Sequence, residues 1–356
     1  MDLNNQNLLF FSRSTQHGGT ENVILQLCEI FHNKVNKIVV AAGSGFKKEE
    51  LLKYNIKFYE FPDIEDKNPM TIYRCMRMLE KIVKDEEITV IHTHHRMAAF
   101  YVELTGLYKK CVFINTSHNT FYNRRVLTRS AYKKAHLIAC GEMVKRNLTE
   151  FFGLKDVTVI HNAVKPFADK ISLDPILNAD RKDEKFLIGN VGRLSEQKGM
   201  EYYIQAIPEV VRTHPEAQFY IIGSGEDEVK LKKMSDGLPV TFMGYRTDIQ
   251  NLMSQLDLIV LSSLWEGFPL TPIEAFSVNK TIVATGVDGT LEIVKNKENG
   301  LLVKAKDVNG LAKSINWMIE HPDEKKKMES KAKESYEKEL SFDILAKSYI
   351  DYYRSL

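Results

Sequence analysis

Two carboxylates, Glu266 and Glu274, stand eight positions apart on either side of a Gly267-Phe268-Pro269 turn. Carboxylates so placed can accept hydrogen bonds from sugar and ribose hydroxyls, or can divide the work of general acid and base. Positioning fits better, because a separate pair of cations is available to handle charge. Arg193 and Lys198 fall in the run Gly192-Arg-Leu-Ser-Glu-Gln-Lys198, after an apolar strand and before a helix. A guanidinium fork and an ammonium there would neutralise a diphosphate and stabilise it as it leaves. Plainer alternatives exist for each residue. Glu266 could close its loop, Glu274 could complement a helix N-terminus, and the basic pair could be merely solvated. Trp265 and Phe268 could pack inside the fold instead of stacking on a ligand.

Near the N-terminus, Gly18 and Gly19 follow the first strand and precede a helix, so backbone amides can approach an anion closely. A structural turn is the alternative, and Glu21 suits the first turn of that helix. The run matches neither G-x-G-x-x-G nor a Walker loop. His92, His94 and His95 end one strand, and His118, in Thr116-Ser-His-Asn119, follows the next. A zinc site is disfavoured, because an extended H-x-H-H segment sends alternate side chains to opposite faces and no H-E-x-x-H helix exists. His118 stands just beyond a buried strand, where active-site groups collect, or else it packs or caps. Gly223-Ser-Gly225 closes another strand, as a turn or as a close approach to a nucleotide. No D-x-D occurs, so basic residues would carry the charge of a diphosphate that a metal carries elsewhere.

These residues need a regular scaffold. Short apolar runs at 8–12, 37–42, 57–61, 89–94, 112–116, 136–139 and 157–160 alternate with helical patterns near 20–33, 70–85, 96–107, 124–134 and 142–152. That alternation predicts a parallel sheet covered by helices. A second series has strands at 186–191, 218–222, 240–243, 256–261, 281–284 and 300–303. Its helices fall near 199–212, 226–235, 247–255, 271–278 and 290–296, and long charged helical patterns run from 308 to the end. Residues 164–184, with little periodicity, read as a linker. Glu266 then sits in a loop beyond a strand end. Glu274 falls on the opening turn of a helix that begins after Pro272, on the crevice side of an α/β sheet. At 356 residues the chain exceeds one typical core. Two doubly wound α/β domains facing each other across a cleft are the simplest architecture.

Hydrophobic content of 44% and charged content of 27% are ordinary for a soluble protein. No apolar run approaches the roughly 18 residues of a spanning helix, and the start lacks a signal-peptide pattern. The four cysteines, Cys28, Cys75, Cys111 and Cys140, show no metal-ligand spacing. A cytoplasmic protein is expected. Residues 1–165 hold 24 Lys and Arg against 17 Asp and Glu, a balance of +7, and the remainder carries −5. A basic first half favours an anionic partner such as lipid headgroups or a lipid-linked diphosphate, with peripheral contact at the inner face of the membrane. An ordinary solvated surface explains the same count equally well. No nucleic-acid partner is expected.

In order and spacing, several of these runs resemble the retaining GT-B glycosyltransferases of family 4. They are Arg193…Lys198, Gly223-Ser-Gly225, Phe242-Met-Gly-Tyr-Arg246…Asp248 and Glu266-Gly-Phe-Pro-Leu-Thr-Pro-Ile-Glu274. The E-x7-E element is the most diagnostic match. Gly18-Gly19, Thr116-Ser-His118-Asn and His161-Asn162-Ala-Val look like N-terminal elements of the same family. The likeness spans nearly the whole chain and is strongest from about 186 to 304.

The resemblance implies a GT-B fold of two Rossmann-like domains. An acceptor-binding domain would cover 1–165 and a nucleotide-sugar-binding domain 166–341, with a last helix, 342–356, packing back on the first. It implies transfer of a hexose from a UDP-sugar to a saccharide or lipid-linked acceptor in surface polysaccharide or glycoconjugate synthesis. Retention of configuration, with no metal or other cofactor, goes with that family. Residue by residue, it implies Glu274 on the ribose hydroxyls, Glu266 and His118 on the donor sugar, and Arg193 and Lys198 on the diphosphate beside the amides of Gly18 and Gly19. Gly192, Gly223, Arg246, Gly267, Phe268, Pro269 and Leu270 would complete the donor site.

Two departures stand out. The family's Gly-Gly-x-x-Glu loop reads Asp288-Gly289-Thr-Leu-Glu292 here, and His161 stands where proline is common. Asp288 could alter contacts on the donor-sugar side. An epimerase of the same architecture lacks the Glu266–Glu274 constellation, and a phosphorylase needs a cofactor lysine that cannot be identified. A non-catalytic sugar-nucleotide-binding partner could lose Arg193, Lys198, Glu266 or Glu274, yet all four are present.

Overall fold

Runs such as 8–11 and 258–261 lack polar alternation, as strands buried on both faces must. In the computed structural model, which describes residues 1–13, 19–167 and 170–356, these runs are fully buried. The described chain forms two units, one of Met1–Asn162 with Leu345–Leu356 and one of Ala163–Ile344.

The first unit holds β1 (Asn7–Phe11), β2 (Lys37–Ala42), β3 (Lys57–Glu60), β4 (Val90–Thr93), β5 (Val112–Ser117), β6 (His136–Ala139) and β7 (Val157–Val159). They pair in parallel in the order β3-β2-β1-β4-β5-β6-β7. The helix Phe342–Ser355 ends in this unit from Leu345 onward, where the Tyr353 ring packs tilted against Phe31 at 4.6 Å. The second unit holds β8 (Phe186–Val191), β9 (Ala217–Ile222), β10 (Val240–Gly244), β11 (Leu258–Leu261), β12 (Ile282–Thr285) and β13 (Gly300–Val303). Their order is β10-β9-β8-β11-β12-β13, again all parallel.

Each sheet reverses its winding once, between β1 and β4 and between β8 and β11. Loops leaving the carboxyl ends of two such strands diverge to opposite faces and open a crevice, the usual ligand site of these sheets. In the second unit Leu258 lies opposite Ile188 and Val260 opposite Asn190. The loops that follow, from Gly192 and from Ser262, therefore leave the sheet side by side.

Three expectations need correction. Part of the segment read as a linker is the helix Pro175–Lys182. Asp174 caps it, accepting from the amides of Ile176 and Leu177 at 3.0 and 3.3 Å, and Pro175 opens its first turn. A carboxylate cap followed by proline is a strong local start signal that outweighs weak periodicity. A short helix, Lys48–Leu52, was also unforeseen. The helix carrying Glu274 is Leu270–Ser277, which begins before Pro272. Proline is tolerated there because first-turn N–H groups have no intrahelical partner to lose. Glu274 consequently lies on the second turn, away from the dipole end that would have explained it as a simple helix-start acid.

Candidate functional site

The site of the second unit is built from the two loops at the β8/β11 reversal. Asn190, buried at the end of β8, donates from Nδ2 to Ser262 Oγ at 2.9 Å, and Ser262 Oγ donates to the Lys198 carbonyl at 3.0 Å. The Leu264 amide reaches the Gln197 carbonyl at 2.8 Å, and Gln197 Nε2 reaches the Trp265 carbonyl at 3.0 Å. Four bonds thus zip one loop to the other. They bring Lys198 Nζ to 2.6 Å from Glu266 Oε1, although the two residues lie 68 positions apart.

Glu266 is buried, at 5% exposure, and is held from three directions. Lys198 Nζ and Ser263 Oγ both donate to Oε1, each at 2.6 Å. Its own amide donates to Asp288 Oδ2 at 3.1 Å. Asp288 sits at φ +37°, a conformation that glycine adopts at no steric cost and that aspartate enters more readily than most residues. That explains both why a glycine suits this position and what the carboxylate does in its place. The following Gly289 is required by close packing, since a Cβ there would stand 1.8 Å from the Gly267 carbonyl oxygen. Sequence reasoning noticed Asp288 only as a departure, and Ser263 carried no signal at all.

The two cations part company. Lys198 is tied to a buried carboxylate, whereas Arg193 is exposed and pairs across 3.2 Å with the equally exposed Glu226. A pocket of about 270 Å³ opens among Arg193, Ser195, Lys198, Glu226 and Trp265. Trp265 is 39% exposed on its rim, while Phe268 is buried and belongs to the core. Gly267 and Pro269 are buried as well, with Leu270 and Glu274 half-buried on the helix that follows. Gly192 and Gly223 touch backbone to backbone: a Cβ on Gly223, at φ +145°, would stand 1.9 Å from the Gly192 carbonyl oxygen. Only glycine at 223 lets the ends of β8 and β9 close up under the pocket.

Arg246 is engaged inside the fold. It grips Asp248 at 2.9 and 2.8 Å and the helix-capping Asp174 at 2.8 Å. That gives it a structural task in anchoring the helix Pro175–Lys182, whatever else it contacts.

In the first unit, Gly19 opens the helix Gly19–Phe31 beyond β1, and Gly18 lies outside the described residues. His92 on β4 and His94 just beyond it, two positions apart, lie on the same side, with rings 4.2 Å apart. The expected alternation separates only His95, whose Nδ1 accepts from the Met97 amide at 3.2 Å and caps the helix Arg96–Leu104. His118 follows β5, half-buried, with Nε2 at 3.0 Å from His94 Nδ1. Desolvation pushes the His118 imidazole down to about 4, with His95 adding a smaller repulsive contribution. It is therefore neutral near pH 7.

The sequence model of Glycosyltransferase Family 4 matches residues 17–166, and that of Glycosyl transferases group 1 matches residues 177–335. The chain is 25% identical over 341 residues to an uncharacterized glycosyltransferase of Methanocaldococcus jannaschii, spanning 83% of this chain and 87% of that one. It is 24% identical over 336 residues to the UDP-Gal:alpha-D-GlcNAc-diphosphoundecaprenol alpha-1,3-galactosyltransferase of Escherichia coli, spanning 86% and 85%. Among solved structures it resembles Anabaena HepE in complex with UDP-glucose, with a TM-score of 0.81 at 20% identity over 98% of this chain and 100% of that one.

Proposed function

The chain belongs to the glycosyltransferases, as a family 4 domain followed by a group 1 domain in a GT-B fold, and from that premise we propose its reaction. It moves a sugar from a UDP-sugar to a saccharide or lipid-linked acceptor, with retention of anomeric configuration. The observation that carries this reading is Lys198 bonded to the buried Glu266 at the β8/β11 reversal, beside the pocket that Arg193 lines. The relative named for transfer from UDP-Gal onto a diphosphoundecaprenol-linked GlcNAc supports the donor nucleotide and the acceptor class.

As the anomeric C–O bond breaks, the sugar gains oxocarbenium character and negative charge builds on the diphosphate. Arg193 and Lys198 meet that charge where it develops, which lowers the barrier. An ammonium has three donors, so Lys198 can keep Glu266 and still donate to a phosphate oxygen. Arg193 exchanges Glu226 for phosphate at little expense, because an exposed pair is worth only about 0–1 kcal/mol. Glu266, with Oε1 occupied, offers Oε2 to a donor-sugar hydroxyl. Glu274 accepts from the ribose hydroxyls, and His118 contacts the donor sugar. The acceptor attacks from the leaving-group face and passes its proton to the departing phosphate oxygen. No metal is needed in this scheme, since the cations come from the chain.

A screen of nucleotide sugars with free nucleotide as readout, run with and without a chelator, tests the proposal. UDP release from at least one UDP-sugar, unchanged by the chelator, is the expected result. Silence with every donor would favour a non-catalytic sugar-nucleotide-binding partner instead.

We also propose that the first unit meets an anionic lipid surface. From residue 104 to residue 141 the chain has seven Lys and Arg and no carboxylate. On and around the helix Arg125–Tyr132, the side chains of Arg124, Arg125, Arg129, Lys133 and Lys134 are exposed, beside Tyr122 at 69% and Val126 at 84%. Exposed basic residues interleaved with apolar ones suit a headgroup layer, each cation near the surface contributing about 1 kcal/mol. Among the described residues no helix is long and apolar enough to cross a membrane. The protein should co-sediment with anionic liposomes at low salt, and Arg124→Glu with Arg125→Glu should abolish this. Binding that ignores both salt and these substitutions would exclude this face.

A further inference from the structure

We propose that His94 is a positioning residue for His118, holding its imidazole in one orientation and in the tautomer that carries the proton on Nδ1. The proposal rests on the assignment of His118 to the donor sugar. Among the described residues, His94 is the hydrogen-bond partner recorded for the His118 ring, with Nδ1 at 3.0 Å from His118 Nε2. The two rings lie nearly parallel, with centroids 5.3 Å apart and planes inclined by 18°.

His94 is itself fixed from behind. It is 3% exposed and packs between Phe10, at 5.9 Å, and His92, at 4.2 Å. His92 in turn has both nitrogens engaged, Nδ1 with Tyr353 Oη at 2.7 Å and Nε2 with Thr116 Oγ1 at 2.8 Å. The H-x-H pair is thus a stack that reaches from the C-terminal helix to the outer histidine. Both histidines of the pair are buried, and His118, half-buried beyond them, is the one a donor sugar could meet.

The direction of the shared bond follows from what lies at the other end of His94. Its Nε2 is buried with no hydrogen-bond partner. Burial holds both imidazoles neutral, so a single proton lies between His94 Nδ1 and His118 Nε2. If His118 donated, the proton of His94 would sit on Nε2 as a buried N–H with nothing to receive it. Orphaned buried N–H groups are rarer than under-satisfied acceptors. With the proton on His94 Nδ1, only a lone pair is stranded. His118 then accepts at Nε2 and keeps its own proton on Nδ1, where it can donate to a sugar oxygen. A histidine whose tautomer is set by its second nitrogen's partner is the common device for this purpose.

The test combines ¹⁵N spectra of the full-length protein with donor and acceptor kinetics, the His118 signals being assigned from their loss in His118→Ala. The wild-type protein should show His118 as the Nδ1–H tautomer alone. In His94→Phe the His118 signals should average between tautomers. The kcat for transfer should fall about tenfold with little change in the donor KM, the worth of one hydrogen bond expressed in the transition state. His94→Asn places an amide N–H at the same position and should restore both the spectrum and most of the kcat. Wild-type His118 protonated on Nε2, or a spectrum and kcat indifferent to His94→Phe, would overturn the proposal. Should His94→Phe fail to fold, the wild-type and His94→Asn spectra decide it alone. Full transfer by His118→Ala would instead remove the assignment of His118 itself.

Discussion

Lys198→Ala lowers kcat for sugar transfer by about 10²- to 10³-fold, the range for removing one preorganised group aimed at developing negative charge. A second loss accompanies the first. Lys198 is bonded to a carboxylate whose side chain is only 6% exposed, so the alanine variant leaves Glu266 buried without its cation. Breaking such a pair from one side costs about 3 kcal/mol or more. The two effects separate in the double variant Lys198→Ala with Glu266→Gln. Denaturant unfolding should show most of the stability regained, because an amide needs no counter-charge. Activity should stay low, because the diphosphate still lacks its ammonium, and it should lie below that of Glu266→Gln alone, which carries only the loss on the sugar side. A kcat that recovers together with stability would reduce Lys198 to a structural role, and a kcat untouched by the single substitution would remove it from the chemistry.

Glu274→Ala weakens UDP binding by roughly 10²-fold, measured by titration calorimetry. Two ribose hydroxyls donating to a carboxylate make charge-assisted bonds worth about 1.5–3 kcal/mol each. Losing them, with water partly replacing the carboxylate, leaves a net change near 2.7 kcal/mol, or about a hundredfold. Alanine is the best helix former, so the helix Leu270–Ser277 is not penalised at this position. Glu274→Gln, which keeps an acceptor but loses the charge, should fall between wild type and alanine. Unchanged UDP affinity in Glu274→Ala would mean that the E-x7-E element does not grip the nucleotide. A rate profile governed by a carboxylate titration would point instead to acid/base work by the pair.

Much of the frame was legible because its signals are local. The runs 37–42, 136–139, 186–191 and 300–303 match β2, β6, β8 and β13 to the residue. Each is short and mostly apolar with no polar-apolar alternation, as a strand buried on both faces must read. Two of the helices lost or displaced are those where a short-range signal competes with periodicity. Asp174-Pro175 starts a helix inside an apparent linker, and Pro272 looks like a boundary although the first turn accommodates it. The H-x-H pair was read through the alternation of a strand, which holds between neighbours and not between residues two apart.

The types and spacing of Arg193, Lys198, Glu266 and Glu274 marked them as a site from the sequence by itself, and family resemblance gave each a task. What those tasks have in common came only from the tertiary structure. The sheet order places β8 beside β11, three strands onward in the chain, and so presses the loop after Val191 against the loop after Leu261. That contact joins Lys198 to Glu266 across 68 positions, and the pairing of β11 with β12 brings Asp288 to the Glu266 amide across 22. In the first unit, the pairing of β4 with β5 sets His118 against His94 across 24. No periodicity or motif encodes a pairing between side chains on separate loops, because it depends on which strands become neighbours. Glu266 is accordingly less an acid standing near a turn than the buried end of an ion pair at the crevice.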